Sequence, residues 1–460
     1  MLVPMTTLLP LLLLSLSAPQ APEPALAQPV AIEVPEGQVC GLGAAFHSGR
    51  RAALREVVGT GWMLFRGLDE TRDYLPFRQD KTFWYLTGVE SPRAALAMNA
   101  ATGEEVLFLP RSNPMLEVWE GEKWDASDEW LPGLTGFGDV RDVDGLEDFL
   151  AATLVAEEVV WTSLAANIGL AGCYDRAEPF DKRASRDLLD GRPSRENALK
   201  AALEGTYGVK VKDCQTSIEE LRRIKTSEEI AALRRASDAG AVSMRAAMAN
   251  TKPGVGEADL AALMSFVHLR EGATGPAYAP IIGAGSNANV LHYLDLTRTL
   301  GADHGVLVDY APEYDHYVSD ITRTWPASGK FSPRLAELYD VVLEAQLAGI
   351  AAVKPGATLD DVQRACNEVI NARDMREYVL HGVSHYVGME VHDVGGYRKP
   401  LEPGVVFTIE PGLYDQEAGV GVRIEDVILV TEGGYEVLSS SVPKERAEIE
   451  ALVGTAGLLR

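Results

Sequence analysis

Apolar residues fall in two rhythms along this chain. From about residue 45 to 215 the runs are short and change character repeatedly. Arg50 to Val58 carries the spacing of a helix, whereas Gly61-Trp62-Met63-Leu64-Phe65 and Glu105-Val106-Leu107-Phe108-Leu109 are brief apolar runs that stop at breakers, the mark of buried strands. This predicts an α/β layout of modest size. Trp84 and Tyr85, ahead of Leu86-Thr87-Gly88, read as core and turn. The longest helical signal runs from Cys214 to about Asn250. Ser217-Ile218-Glu219-Glu220 and Ser227-Glu228-Glu229-Ile230 each offer a cap with acid in the first turn. Ile230, Leu233, Ala236, Ala241 and Met244 fall on one side of that helix. The stretch is the expected join between an N-terminal and a C-terminal domain, and Lys252-Pro253-Gly254 closes it. From there to Leu438, long helices mix with strands and many glycines, which is α+β architecture.

The first thirty residues follow neither rhythm. Leu8, Leu9, Leu11 to Leu14 and Leu16 form an apolar stretch too short to span a bilayer. Pro19, Pro22 and Pro24 follow, then Ala25-Leu26-Ala27, a small-x-small cleavage pattern. Residues 1–27 therefore read as a signal peptide, and the protein as periplasmic or secreted, with no membrane association after processing. No Lys or Arg precedes Arg50, so a basic leading region is missing and a cytoplasmic placement is the alternative.

Composition narrows the field only a little. The 460 residues suffice for two or three domains, and a hydrophobic fraction of 46% with 24% charged residues is that of an ordinary globular protein. A net charge of −25 excludes nucleic acid as the expected partner, because duplex binding draws on Lys and Arg to neutralise phosphates. Cys40, Cys173, Cys214 and Cys366 are widely spaced without a C-x-x-C pair, which removes zinc knuckles and thioredoxin chemistry.

The candidate chemistry lies where acids interrupt apolar strands. Val, Ile and Leu runs rarely carry Asp or Glu unless the charge is exposed, paired or bound to metal. Gly305 to Ala311 and Val318 to Thr324 read as two strands joined at Pro312-Glu313-Tyr314, with Asp309 and Asp320 facing the same way. Two such carboxylates would push one pKa upward unless a divalent cation lay between them. Glu410 ends the apolar run Val406 to Ile409, and Arg423 and Glu425 share a face of a strand from Val422 to Val430 that turns at Gly433-Gly434. Seven of eight histidines lie between His268 and His392. His381 and His385 have i, i+4 spacing, but Gly382, Gly388 and the β-branched residues argue against a helix, and the H-E-x-x-H pattern is absent. Four carboxylates and a histidine make an oxygen-rich set with capacity for two divalent ions, suited to manganese or cobalt with zinc possible. Two metals roughly 3.5 Å apart can hold a bridging hydroxide and polarise a carbonyl.

The same segments resemble the pita-bread metallopeptidases, in the branch holding aminopeptidase P and prolidase. The strings LVDYAPEYDHYVSDITRTWP, HGVSHYVGMEVHDVGGY, FTIEPGLY and VRIEDVILVT carry the resemblance in the catalytic domain, and Phe77-Arg78-Gln79-Asp80 with Phe83 to Gly88 carries it in the N-terminal one. It runs from about residue 45 to 445. It implies an N-terminal creatinase-like α/β domain over 35–215 and a pita-bread catalytic domain over 216–445. Asp309, Asp320, His385, Glu410 and Glu425 would be the ligands of two metal ions, most readily manganese, with Asp320 and Glu425 bridging. Glu410 would also act as general base toward a metal-bridging hydroxide. His292 would contact substrate, His381 and His392 would shape the proline pocket and stabilise the tetrahedral intermediate, and Arg423 would support the site. His304 and His316, flanking the hairpin, read as surface or turn residues, and His47 and His268 carry no motif.

The implied activity is removal of an N-terminal residue in front of proline, and the implied assembly a homodimer or homotetramer. An Xaa-Pro bond has no N–H, so peptidases that grip that group lose their handle. Three rivals remain. A prolidase would cut dipeptides only, and the Phe77-Arg78-Gln79-Asp80 segment favours aminopeptidase P over it. Creatinase-type C–N hydrolysis needs no metal and would not call for the intact ligand set. A catalytically inactive pita-bread binding module would lack ligands, and none is missing. The short gap between Glu410 and Glu425 implies a trimmed loop near the pocket.

Overall fold

Apolar runs that alternate between two cores build the first sheet. The computed structural model describes residues 34–70, 76–166 and 173–459; the expected leader and its Ala25-Leu26-Ala27 motif lie outside the described residues. Strands β1 (Trp62–Arg66), β2 (Ala95–Asn99), β3 (Glu105–Leu109), β4 (Val140–Asp142), β5 (Val159–Thr162) and β6 (Lys210–Asp213) form a six-stranded mixed sheet in the order β4-β3-β2-β1-β5-β6. Successive residues of β1 serve opposite faces: Met63 and Phe65 pack with Phe46, Leu54 and Trp84, whereas Trp62 and Leu64 pack with Leu150 and Leu203. Burial on both faces explains why β1 reads as a continuous apolar run.

The expected helix from Cys214 to Asn250 is two helices, Gln215–Arg223 and Ser227–Asn250. Ser217 lies inside the first, whose cap position is Cys214. The second is capped by Thr226, not Ser227, because Thr226 stands three residues before Glu229 and the two close a reciprocal capping box. Gly240 lets this helix lie close to the segment carrying Asp320: a Cβ there would meet Ile321 at 3.0 Å and Pro312 at 3.2 Å.

The second half is a set of small, bent sheets. Strands β7 (Gly275–Pro276), β8 (Ile281–Ala284), β9 (Gly305–Asp309), β10 (Pro312–Tyr314), β11 (Tyr317–Val318) and β12 (Thr322–Pro326) form two three-stranded sheets, β11-β10-β7 and β12-β9-β8. Pro312 to Tyr314 is therefore a strand and not the expected turn. The chain reverses at Asp315 and His316, both at positive φ (47° and 63°), and a small hairpin nests between β9 and β12. Asp tolerates that conformation. His316 is also not a surface residue: it is 2% exposed, its ring lies 4.3 Å from that of Trp84, and it hydrogen-bonds Glu90.

Strands β13 (Val406–Ile409), β14 (Gly412–Asp415), β15 (Val420–Arg423), β16 (Asp426–Thr431) and β17 (Gly434–Val437) complete the fold. The expected strand from Val422 to Val430 is thus broken at Ile424-Glu425, just as its neighbour is broken at Glu410-Pro411. The pairing Ile409↔Asp426 on one side and Gly412↔Arg423 on the other keeps a single register, so Glu410 falls opposite Glu425. Like charges directly across a ladder are destabilising, and the ladder lapses where they meet. Helices Pro333–Ala351 and Leu359–Ala372 pack into the core shared with Val306, Val308, Ile409, Val422 and Ile428. Among the described residues no helix is long and apolar enough to cross a membrane.

Candidate active site

Every acid of the expected set sits at or beside a strand end, not in mid-run. Asp309 is the last residue of β9, Asp320 lies just before β12, and Glu410 and Glu425 occupy the two strand breaks. His385 belongs to an irregular segment laid along β13: the Thr408 N–H donates to the His385 carbonyl at 2.8 Å, and the Glu410 N–H to that of Val383 at 2.8 Å. The absence of a helix through His381 and His385 agrees with the reading of their glycines.

These side chains converge. His385 Nε2 stands 3.4 Å from Glu410, 3.5 Å from Asp320 and 4.0 Å from Glu425. The Tyr278 hydroxyl lies 2.6 Å from Asp309 and 2.6 Å from Asp320, so the two aspartates are joined through one oxygen. Arg423 Nη2 donates to Asp309 at 2.6 Å, and Thr322 Oγ1 donates to Glu425 at 2.7 Å.

The electrostatics are those of an acid cluster short of cations. Burial pushes the carboxyls of Asp320, Glu410 and Glu425 well above the usual range. Asp309 adds to the effect at Asp320, Glu425 at Glu410, and Asp320 at Glu425. Burial, with His392 adding to it, lowers His385 to about 3, so its ring is neutral. With the Tyr386 carbonyl 3.3 Å from Nδ1, that nitrogen carries the proton and Nε2 turns a lone pair toward the three carboxylates. A lone pair and several carboxylates facing one point are satisfied together by cations, and the donors are the hard oxygen-rich kind that divalent ions take. Ligand atoms of Asp320, His385 and Glu425 lie within 4.8 Å of one another. The residues fit metal ions.

Around this centre stand the other expected residues. Arg423 also donates to the Tyr414 hydroxyl at 2.9 Å and to Thr322 Oγ1 at 3.2 Å. His381 is held by the Gly382 carbonyl at Nδ1 (2.6 Å) and the Tyr414 hydroxyl at Nε2 (2.8 Å), and burial lowers it to about 4. The His392 ring stacks on that of His385 at 3.9 Å with 15° between planes, and its Nδ1 lies 3.2 Å from Asp175. His292 stands on an exposed turn after the 3-10 segment Gly285–Asn289, within reach of the charge on Asp309. Four residues escaped sequence reasoning: Tyr278, Thr322, Tyr414 and Asp175. Tyr414 ends one recognised string and Thr322 follows Asp320 by two, so both were within reach of the pattern. Tyr278 and Asp175 carry no signal.

Fold and site together define a two-metal peptidase of the pita-bread class: residues 231–432 match metallopeptidase family M24, and residues 47–161 match the aminopeptidase P N-terminal domain. The Xaa-Pro aminopeptidase of Escherichia coli (strain K12) is 32% identical over 449 residues, covering 88% of this chain and 97% of that protein. Aminopeptidase P from E. coli with the inhibitor Pro-Leu is structurally similar, with a TM-score of 0.74 at 31% identity, over 89% of this chain and 98% of that one. The aminopeptidase of Pseudomonas aeruginosa gives a TM-score of 0.75 at 30% identity, over 89% and 97%. The chain belongs to the aminopeptidase P family.

Proposed function

We propose that this protein is a metal-dependent Xaa-Pro aminopeptidase, hydrolysing the bond between an N-terminal residue and a following proline. The observation that carries the reading is the convergence of Asp309, Asp320, His385, Glu410 and Glu425 in a chain that belongs to the aminopeptidase P family. Those five residues would hold two divalent ions, manganese first and cobalt or zinc otherwise, with Asp320 and Glu425 shared between them. When bound, the ions supply a Lewis acid for the scissile carbonyl and an activated water.

The chain's own side chains do the rest. Glu410, at the strand break facing Glu425, would accept the water's proton as general base. Arg423 fixes Asp309 and, through Tyr414, fixes His381. His381 and His392 bound the side where the proline ring and the developing negative charge lie, and His292 meets the substrate from the open turn. Because the proline amide has no N–H to grip, recognition falls on the ring and on the free amine before it.

The test is release of the first residue from Xaa-Pro dipeptides and from Xaa-Pro-Yaa peptides, with manganese and after chelation. Cleavage of both lengths, lost on chelation, is the expected result. Cleavage of dipeptides alone would make the protein a prolidase, and no cleavage with any divalent ion would leave a binding module. We also propose a signal peptide over 1–27, domains over 35–215 and 216–445, and a homodimer or homotetramer, which N-terminal sequencing, limited proteolysis and light scattering test in turn.

A further inference from the structure

Cys173, Asp175 and His392 bring sulfur, oxygen and nitrogen donors together at a second place, all within 4.8 Å of one another. They come from two distant parts of the chain. Cys173 and Asp175 open the helix Tyr174–Ser185, whereas His392 lies in the segment that carries His385. Backbone contacts keep them in register: Cys173 forms a parallel bridge with His392, and the Tyr174 N–H donates to the His392 carbonyl at 2.8 Å. The donors are reachable, since Cys173 and His392 are half-buried and Asp175 is exposed. Cys40, Cys214 and Cys366 are free thiols too, but all three are buried.

This donor set differs in kind from the oxygen-rich centre beside it. A thiolate, an imidazole and a carboxylate make a three-residue site of the zinc type, with a fourth position left for water. Burial, with Asp175 adding to it, pushes the Cys173 thiol up to about 11, so without an ion it is a protonated thiol and not a nucleophile at neutral pH. The His392 ring cannot swing away freely, because it stacks on His385 at 3.9 Å.

We propose that Cys173, Asp175 and His392 form a separate site for one thiophilic divalent ion such as zinc or cadmium, and that its occupancy slows turnover by holding His392. Binding is ligand exchange without redox change. The Cys173 S–H bond breaks, its proton leaves to solvent, a metal–sulfur bond forms, and Asp175 and His392 replace two of the ion's waters. Only the slowing of turnover rests on the peptidase reading; the site itself does not.

Cobalt(II) titrated into the full-length, manganese-loaded protein tests the site, because a thiolate bound to cobalt absorbs by charge transfer and carboxylate oxygens do not. The expected result is a band that saturates with one ion, is absent from Cys173→Ser, and needs roughly 10- to 100-fold more cobalt in Asp175→Asn. No band in the unaltered protein, or a band that Cys173→Ser retains, overturns the site. A band in Asp175→Asn at unchanged cobalt removes Asp175 as a ligand. In parallel, zinc should slow cleavage of an Xaa-Pro peptide roughly tenfold or more, and Cys173→Ser should escape. A thiolate band with equal zinc inhibition in both proteins overturns the hold on His392. A protein that shows the band yet cleaves no peptide would sink the peptidase reading and leave the site standing.

Discussion

Glu425 faces Glu410, Asp320 and His385, and a single hydroxyl, that of Thr322, donates to it. Asp426, the next residue, faces the opposite way. It accepts from Arg323 at 2.7 Å, Gln346 at 2.7 Å, Lys444 at 2.9 Å and Ser439 at 2.7 Å. Both are buried, yet burial and neighbouring acids push Glu425 up, while Arg323 and then Lys444 outweigh the burial of Asp426 and bring it down to about 2. Their cross-strand neighbours divide in the same way: Thr322 turns toward Glu425 and Arg323 toward Asp426. His392 and Asp393 repeat the division, since Asp393 pairs with Arg222 and Lys225 behind the site. The alternation of successive side chains along the chain thus sorts charges onto two faces. One face is balanced by side chains and holds the fold together. On the other, acids outnumber protein cations, which leaves the balancing charge to metal ions.

The contrast breaks most sharply by substitution on the metal face. Glu410→Ala should cut turnover of an Xaa-Pro peptide by roughly 10²- to 10⁴-fold, the range of a general base, while the circular dichroism spectrum stays unchanged. Retained turnover would remove Glu410 from that role. Next comes the balanced face. Asp426→Ala leaves the buried Arg323 guanidinium without its counter-charge and should destabilise the protein by about 3–5 kcal/mol in urea unfolding, the usual penalty for breaking a buried pair. A loss below about 1 kcal/mol would mean that the two faces do not differ as described.

Acidity separates the faces by sign. An acid held below its usual range stabilises the folded state above its unfolded pKa, and that stability goes as pH falls through the folded value. Asp426 should therefore contribute roughly 2 kcal/mol that disappears between about pH 4 and pH 2. An acid held above its range does the reverse: its contribution is present below the unfolded pKa and is lost as pH rises through the folded one. Asp320, Glu410 and Glu425 are of this kind, so chelated protein should melt higher near pH 5 than near pH 8. Glu425→Gln should stabilise the chelated protein at the higher pH by about 1–2 kcal/mol, read as a higher melting point, while abolishing turnover. Equal melting of the two chelated proteins would show that like-charge repulsion is not stored there.

These faces were unequally legible. Asp309, Asp320, Glu410 and Glu425 could be picked out because acids beside Val and Ile runs need a reason. The runs ending at Asp309 and Ile409 became strands, whereas those expected over Val318 to Thr324 and Val422 to Val430 are interrupted beside Asp320 and Glu425. Asp426 stands in the same run, and no pattern separates a carboxylate kept for an ion from one paired with an arginine 103 positions earlier. The strand breaks at Glu410 and Glu425 were hidden for a related reason. Alternation continues through both, but the ladder is interrupted where Pro411 has no N–H to give and where the Glu410 and Glu425 N–H groups turn to the carbonyls of Val383 and Thr322. The Ser227 cap failed locally, by one residue, where Thr226 had the better partner in Glu229. Asp175 lies 217 positions from the histidine it meets, beyond any periodicity.

Tyr278 offers the finest division between the two faces. Its hydroxyl has one proton and sits 2.6 Å from both Asp309 and Asp320, so it can donate to only one of them at a time. Burial and the charges of Asp309 and Asp320 raise the phenol well above its ordinary pKa, so it stays a donor throughout the working range. A hydroxyl that only filled space would contribute nothing on replacement by hydrogen. One that eases the contact between two carboxylates should cost about 1 kcal/mol, the value of a hydrogen bond. Tyr278→Phe should therefore lower the stability of chelated protein by about that amount. With ions bound, the carboxylates no longer depend on the phenol and the difference should shrink toward zero. Urea unfolding of both proteins, with manganese and with chelator, reads the two differences together. An effect of equal size in both states would make Tyr278 part of the packing alone, and the acid face would then owe its tolerance to the ions only.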